Sequence, residues 1–125
     1  MNINNPFGSA FGAMAMMLCA AMAGATNYYV AVDGADGNDG LSWATAKASP
    51  NAGVAAAKVG GDTVTVSNGV YTLTNTVTIT TGIFLRSLEN DYTTVMFDGG
   101  DARRCLDITA TASNCLVAGI AFTNG

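Results

Sequence analysis

The chain has 125 residues, with hydrophobic side chains on 50% of them, charge on 11%, and no histidine. This length admits one small domain or part of a larger one, and the missing histidine excludes Ser-His-Asp and Cys-His nucleophilic sites and His-ligated metals within the chain. A net charge of -4 argues against a nucleic-acid partner, because phosphate binding needs a basic face.

Residues 1–32 carry no charged side chain, and Asp33 is the first. Within them, residues 7–25 are apolar or small and include Met14, Met16, Met17, Leu18 and Met22. The run closes on Ala21-Met22-Ala23 and Ala23-Gly24-Ala25, two overlapping A-x-A patterns. A short apolar core followed by small residues at -3 and -1 is what signal peptidase reads. The expectation is therefore a signal peptide over residues 1–25, cleaved after Ala25 or, as second choice, after Ala23. A basic n-region is missing, so either the true start lies upstream or the signal is atypical. An uncleaved anchor is the main alternative, but a spanning helix needs about 20 strongly apolar residues. Here Gly8, Ser9, Gly12 and many alanines dilute the run. A buried helix is a further alternative. Cys19 follows Met16-Met17-Leu18, a poor lipobox.

Residues 28–32 read as a short strand of aromatic and β-branched residues. The Asp- and Gly-rich segment 33–40 is a turn-forming loop, with Leu41, Trp43 and Ala44 tucking it against the body. Ser49-Pro50-Asn51 signals a helix start, predicting a helix over 52–59 that Gly60-Gly61 ends. From Asp62 onward the period becomes two. Val64 and Val66, Val77 and Ile79, Ile83 and Leu85, Val95 and Phe97, and Leu106 and Ile108 mark five strands. A sixth runs from Val117 through Ile120 to Phe122, with Gly119 interrupting it as a bulge would.

Many short strands suit either a sandwich or barrel, or a parallel β-solenoid. Asn68-Gly69 is the one good hairpin signal, and it leads into Val70-Tyr71 rather than a clean return strand. Strands of three to five residues favour the solenoid. So does a weak repeat between the segments opening at Gly82 and at Asn114. Taking Val64, Leu85 and Val117 as equivalent gives steps of 21 and 32 residues. A coil of about 20–25 residues with one looped-out insertion accounts for both.

Tyr28-Tyr29-Val30-Ala31-Val32-Asp33-Gly34 and Asn38-Asp39-Gly40-Leu41-Ser42-Trp43-Ala44-Thr45-Ala46 resemble the opening segment of secreted right-handed parallel β-helix proteins, the pectate-lyase-like superfamily. Gly61-Asp62-Thr63-Val64-Thr65-Val66, Ile83-Phe84-Leu85-Arg86-Ser87, Phe97-Asp98-Gly99-Gly100 and Gly119-Ile120-Ala121-Phe122 continue the likeness in the same order. The resemblance implies an all-β fold, a right-handed parallel β-helix whose short N-terminal α-helix caps the open end of the solenoid. Residues 26–61 are then the cap segment, and 62–125 the first two to two and a half coils. Val64, Val66, Val77, Ile79, Ile83, Leu85, Val95, Phe97, Leu106, Ile108, Val117, Ile120 and Phe122 form one inward column core. Stability usually needs roughly three coils or more. The chain is thus expected to be the N-terminal piece of a longer protein whose downstream coils cover the last one; a partner or self-association at that end is the alternative.

The family includes lyases, glycoside hydrolases and adhesins, so it does not fix activity. Asp33, Asp36, Asn38 and Asp39 offer oxygen ligands for calcium, but they miss the register of a calcium loop and are equally plain turn formers. Asp98, Asp101 and Asp107 are carboxylates of the kind used in glycoside hydrolysis, although Asp98-Gly99 resembles a recurring family turn. Arg86, Arg103 and Arg104 are candidates for acidic sugars. Trp43, Tyr28, Tyr29 and Tyr71 are candidates for stacking on sugars or for packing. Thr63, Thr65, Thr76, Thr78 and Thr80 have the spacing of an ice-binding ladder, but threonine also simply suits strands. Cys105 and Cys115 form an even pair in an exported chain. Strand parity opposes a bond, since it points Cys105 outward and Cys115 inward.

The expectation is a secreted or cell-surface β-helix scaffold that binds carbohydrate or adheres. No catalytic, cofactor or metal site is assigned to this segment. The partner is a polysaccharide or cell-surface glycan, not nucleic acid. The alternative is the N-terminal part of a polysaccharide lyase or glycoside hydrolase whose active site lies beyond residue 125.

Overall fold

The structure is a computed structural model that describes residues 25–109 and 111–125. Of the signal-peptide reading over residues 1–25, residues 1–24 lie outside the described residues.

The chain is predominantly β, with parallel strands and one short helix. Strand β1 (Asn27–Val30) precedes helix α1 (Pro50–Ala56). Then follow β2 (Thr63–Val66), β3 (Gly69–Thr72), β4 (Val77–Ile79), β5 (Phe84–Ser87), β6 (Val95–Asp98), β7 (Leu106–Ile108), β8 (Leu116–Ala118) and β9 (Ala121–Thr123). They form three sheets, ordered β1-β2-β5-β8, β3-β6-β9 and β4-β7. From β2 to β9 the chain visits the first, second and third sheet in rotation. Every strand pairing among the described residues is parallel.

The register aligns Val64 with Leu85, and Leu85 with Val117, the equivalence predicted from spacing. The longer second step is not one looped-out insertion. Its extra residues are shared among three corners: those after β2, β3 and β4 hold two, four and four residues, and those after β5, β6 and β7 hold seven each. Asn68-Gly69 is a corner, not a hairpin, because β3 leaves the first sheet and pairs with β6 in the second. Gly119 likewise separates two strands of different sheets and is not a bulge within one. Its φ of 69° lies in the left-handed region, which glycine enters without steric cost.

Side chains alternate in and out along each strand, so each inward position stacks on its register partner. Tyr71, Phe97 and Phe122 form an aromatic ladder, with centroids 6.0 and 5.6 Å apart and edge-to-face rings. Val64 and Leu85 form an aliphatic ladder that Val117 extends. Nine of the thirteen predicted core positions are buried. Leu106 and Val117 are half-buried. Ile108 and Phe122 are 45% and 42% exposed, while their partners Ile79 and Phe97 are at 0%. The cause is positional: β7, β8 and β9 are edge strands, with no further strand to stack on their side chains.

Helix α1 begins where Ser49 adopts extended backbone and its hydroxyl accepts the Ala52 N–H at 3.1 Å. Pro50 then loses nothing by lacking an N–H. The helix packs against β1, β2 and β4. At Gly53 an added Cβ would lie 2.5 Å from Val30 Cγ2 and 2.9 Å from Val64 Cγ1. The helix stops at Ala56, three residues earlier than the sequence predicts. The Asp62 carboxylate accepts the Val59 N–H at 3.1 Å, and the Asp62 N–H donates to the Val59 carbonyl at 3.0 Å. These bonds fold residues 59–62 into a turn that enters β2.

Candidate functional site

The Asp-rich loop 33–40 is organised by its own hydrogen bonds. Asp36 accepts the N–H groups of Ala48 and Ser49 at 2.9 and 2.8 Å, and the Ser49 hydroxyl at 2.9 Å. Asp39 accepts the Leu41 N–H and the Thr45 hydroxyl, and these two bonds hold its carboxyl below the usual carboxylate range. Asn38 donates to the Ala46 carbonyl. Lys47 sits where a cation would: its ammonium donates to the carbonyls of Asp36 and Asn38. Asp33 is exposed. Among the described residues no cluster of three or more His, Cys, Asp or Glu is placed to hold a metal ion.

The acidic candidates near residue 100 are also engaged in turns. Asp98 accepts the Gly100 N–H at 2.9 Å and the Asn124 amide at 3.1 Å, and in that order these hold its carboxyl below the ordinary range. Asp91 is held low in the same way by the N–H and hydroxyl of Thr93. Such carboxylates are poor proton donors. Asp107 pairs with Arg104 at 3.5 Å on the surface. Arg103 is a structural strut: its guanidinium donates to the carbonyls of Leu73 at 2.7 Å and Gly99 at 3.2 Å, joining two stacked corners. The three arginines are therefore not gathered, and Arg86 alone lies on the outer face of the first sheet.

Of the aromatic candidates, Tyr71 is a core residue. Burial pushes its phenol up, and its hydroxyl donates to the Ser67 carbonyl at 2.8 Å. Tyr28 packs against the core. Tyr29 and Trp43 stack obliquely at 4.7 Å beside the Asp-rich loop, leaving the indole exposed. No threonine ladder forms, because Thr63 and Thr65 stack on Phe84 and Arg86, and Thr78 on Asp107.

Both described cysteines are free. Cys105 is buried, contrary to the outward direction expected from parity. It lies one residue before β7, where alternation does not apply, and its thiol faces the carbonyls of Thr123 and Phe97 at 3.3 and 3.5 Å. Cys115 is half-buried, with its thiol 3.5 Å from the Thr81 carbonyl.

The residues that do come together lie on the outer face of the first sheet. Thr63, Phe84 and Leu116 occupy one register column, and Thr65, Arg86 and Ala118 the next. Phe84 and Leu116 are 37% and 51% exposed, an apolar strip on adjacent strands. Arg86 and Asn90 border a hollow of about 460 Å³ over this strip. A second hollow of about 540 Å³ shares Phe84 and is lined by hydroxyl and amide groups of Thr80, Thr81, Thr111, Ser113 and Asn114. Arg86 has no ion-pair partner among the described residues. The arrangement is an apolar platform between a guanidinium and a row of neutral donors and acceptors. Phe84 and Leu116 escaped the sequence reading because they stand 32 positions apart. The equivalence of Leu85 with Val117 was the signal that places them side by side.

Among the described residues no helix is long and apolar enough to cross a membrane. No family model, no curated protein and no solved structure matches the chain.

Proposed function

We propose that this protein is an exported right-handed parallel β-solenoid of the pectate-lyase-like kind, capped by α1, that binds carbohydrate on the outer face of its first sheet. The rotation of successive strands around three parallel sheets supports the solenoid reading. Its handedness follows the strong preference of parallel crossovers for the right hand. The A-x-A patterns ending at Ala25 support export.

The observation that carries the binding reading is the Phe84–Leu116 strip flanked by Arg86, Asn90 and the hydroxyl-lined hollow. Sugar rings present apolar C–H faces and hydroxyl rims, and this surface matches both. Sites of this kind combine apolar contact with a few placed polar groups.

Affinity electrophoresis against neutral and acidic polysaccharides tests it. At least one polysaccharide is expected to retard the protein, and Phe84→Ala abolishes the retardation. The side chain lies on the outer face but is only 37% exposed, so the variant is expected to lose about 1–2.5 kcal/mol of stability and is compared with the parent well below its melting temperature. Equal retardation of the variant, or no retardation of the parent protein by any polysaccharide, refutes the reading.

A further inference from the structure

Asp62 is 1% exposed, yet among the described residues its carboxylate has no cationic partner. Its two oxygens accept backbone N–H groups: Thr26 at 2.7 Å and Val59 at 3.1 Å. A buried carboxylate is costly unless it is paired and hydrogen-bonded. The Thr26 nitrogen is also fixed from its other side, since the Thr26 carbonyl accepts the Thr63 N–H at 2.9 Å. The residue before it, Ala25, is exposed and precedes β1. It also ends the Ala23-Gly24-Ala25 pattern.

We propose that the Ala25–Thr26 peptide bond is the processing site, and that Asp62 is the receptor for the α-ammonium group released on Thr26. This inference rests on the export reading above. In the step, a leader-removing peptidase adds water across the amide. The C–N bond breaks, the water oxygen joins the Ala25 carbonyl carbon, and Thr26 nitrogen takes up the protons. The products are an Ala25 carboxylate and a Thr26 ammonium. The atom that already donates to Asp62 thereby gains a full positive charge without moving. A hydrogen bond becomes a charge-assisted one, and the buried carboxylate acquires its missing counter-ion. Removing the leader then strengthens the joint between β1 and β2 at the start of the first sheet.

The full chain is expressed in a secreting host, and the recovered protein's N-terminus is read by sequencing and intact mass; Thr26 is the expected first residue. The folded protein is then acylated near neutral pH, where an α-amine of ordinary pKa about 7.7–8.0 reacts ahead of Lys47 and Lys58, whose ordinary value is about 10.4. The Thr26 amine is expected to react roughly tenfold or more slowly in the folded protein than in urea, the effect of a one-unit rise in its pKa. Asp62→Asn is expected to abolish that protection. A Thr26 amine equally reactive folded and unfolded overturns the receptor role, as does a folded Asp62→Asn protein that keeps its protection. A different mature N-terminus overturns this inference and leaves export standing, whereas an unprocessed chain overturns both. If Asp62→Asn does not fold, the comparison on the parent protein decides alone.

Discussion

Replacing Phe97 with alanine is expected to lower the unfolding free energy by about 3–5 kcal/mol. Phe97 is fully buried at the middle of the aromatic ladder, between Tyr71 and Phe122. Truncation removes its apolar burial and both edge-to-face contacts, and it leaves a cavity among backbone-fixed strands that relax little. Domains of this size are held by about 5–15 kcal/mol in total, so the loss is a large share of the whole. Phe122 occupies the same column but is 42% exposed, and Phe122→Ala should cost about half as much or less. Urea titration of both variants checks the order. If Phe122→Ala proved the more damaging, the ladder would not be stacked as described.

Gly119→Ala is the second large loss, expected at about 2–5 kcal/mol. Two causes combine. An L-residue in the left-handed region costs about 1–2 kcal/mol, and overpacking adds about 1–3 kcal/mol. At a φ of 69°, the added Cβ would overlap Ser87 Oγ and lie 2.7–2.8 Å from the Asn90 backbone. Ser87 itself cannot retreat freely. It is fully buried, and its hydroxyl accepts the Asp91 N–H at 3.1 Å. Gly37→Ala is the matched control, because nothing lies within 4 Å of a Cβ there. It should change stability by no more than about 0.5 kcal/mol. Equal melting temperatures for the two variants would contradict the corner assigned to Gly119.

The contrast between these glycines shows what the sequence can carry and what it cannot. Glycine at 119 interrupts an apolar alternation, and a bulge and a corner both look like that from sequence. Only the pairing of β8 with β5 and of β9 with β6 separates them. The inward columns were legible because burial imposes a period of two, and because Val64, Leu85 and Val117 recur where stacked strands require them. Strand β3 was not legible: of its residues only Tyr71 points into the core, and Asn68-Gly69 imitates a hairpin turn. The end of α1 was missed because it is set by Asp62, which captures the Val59 N–H across the turn. Strand parity does not reach Cys105, which precedes β7 by one residue and is buried. In the candidate site, Arg86 was picked out as a charged residue. Its apolar neighbours became a site only once the register was known.

The chain rotates through three parallel sheets, returning to the first with Val64, Leu85 and Val117 in register. Nuclear Overhauser contacts on uniformly labelled protein read this directly. Parallel-strand contacts are expected between the backbones around Val64 and Leu85, and around Leu85 and Val117, with the backbone around Tyr71 pairing with that around Phe97 instead. Antiparallel backbone contacts between Val66 and Tyr71 across Asn68-Gly69 would make that segment a hairpin and contradict the fold from which the candidate site is built.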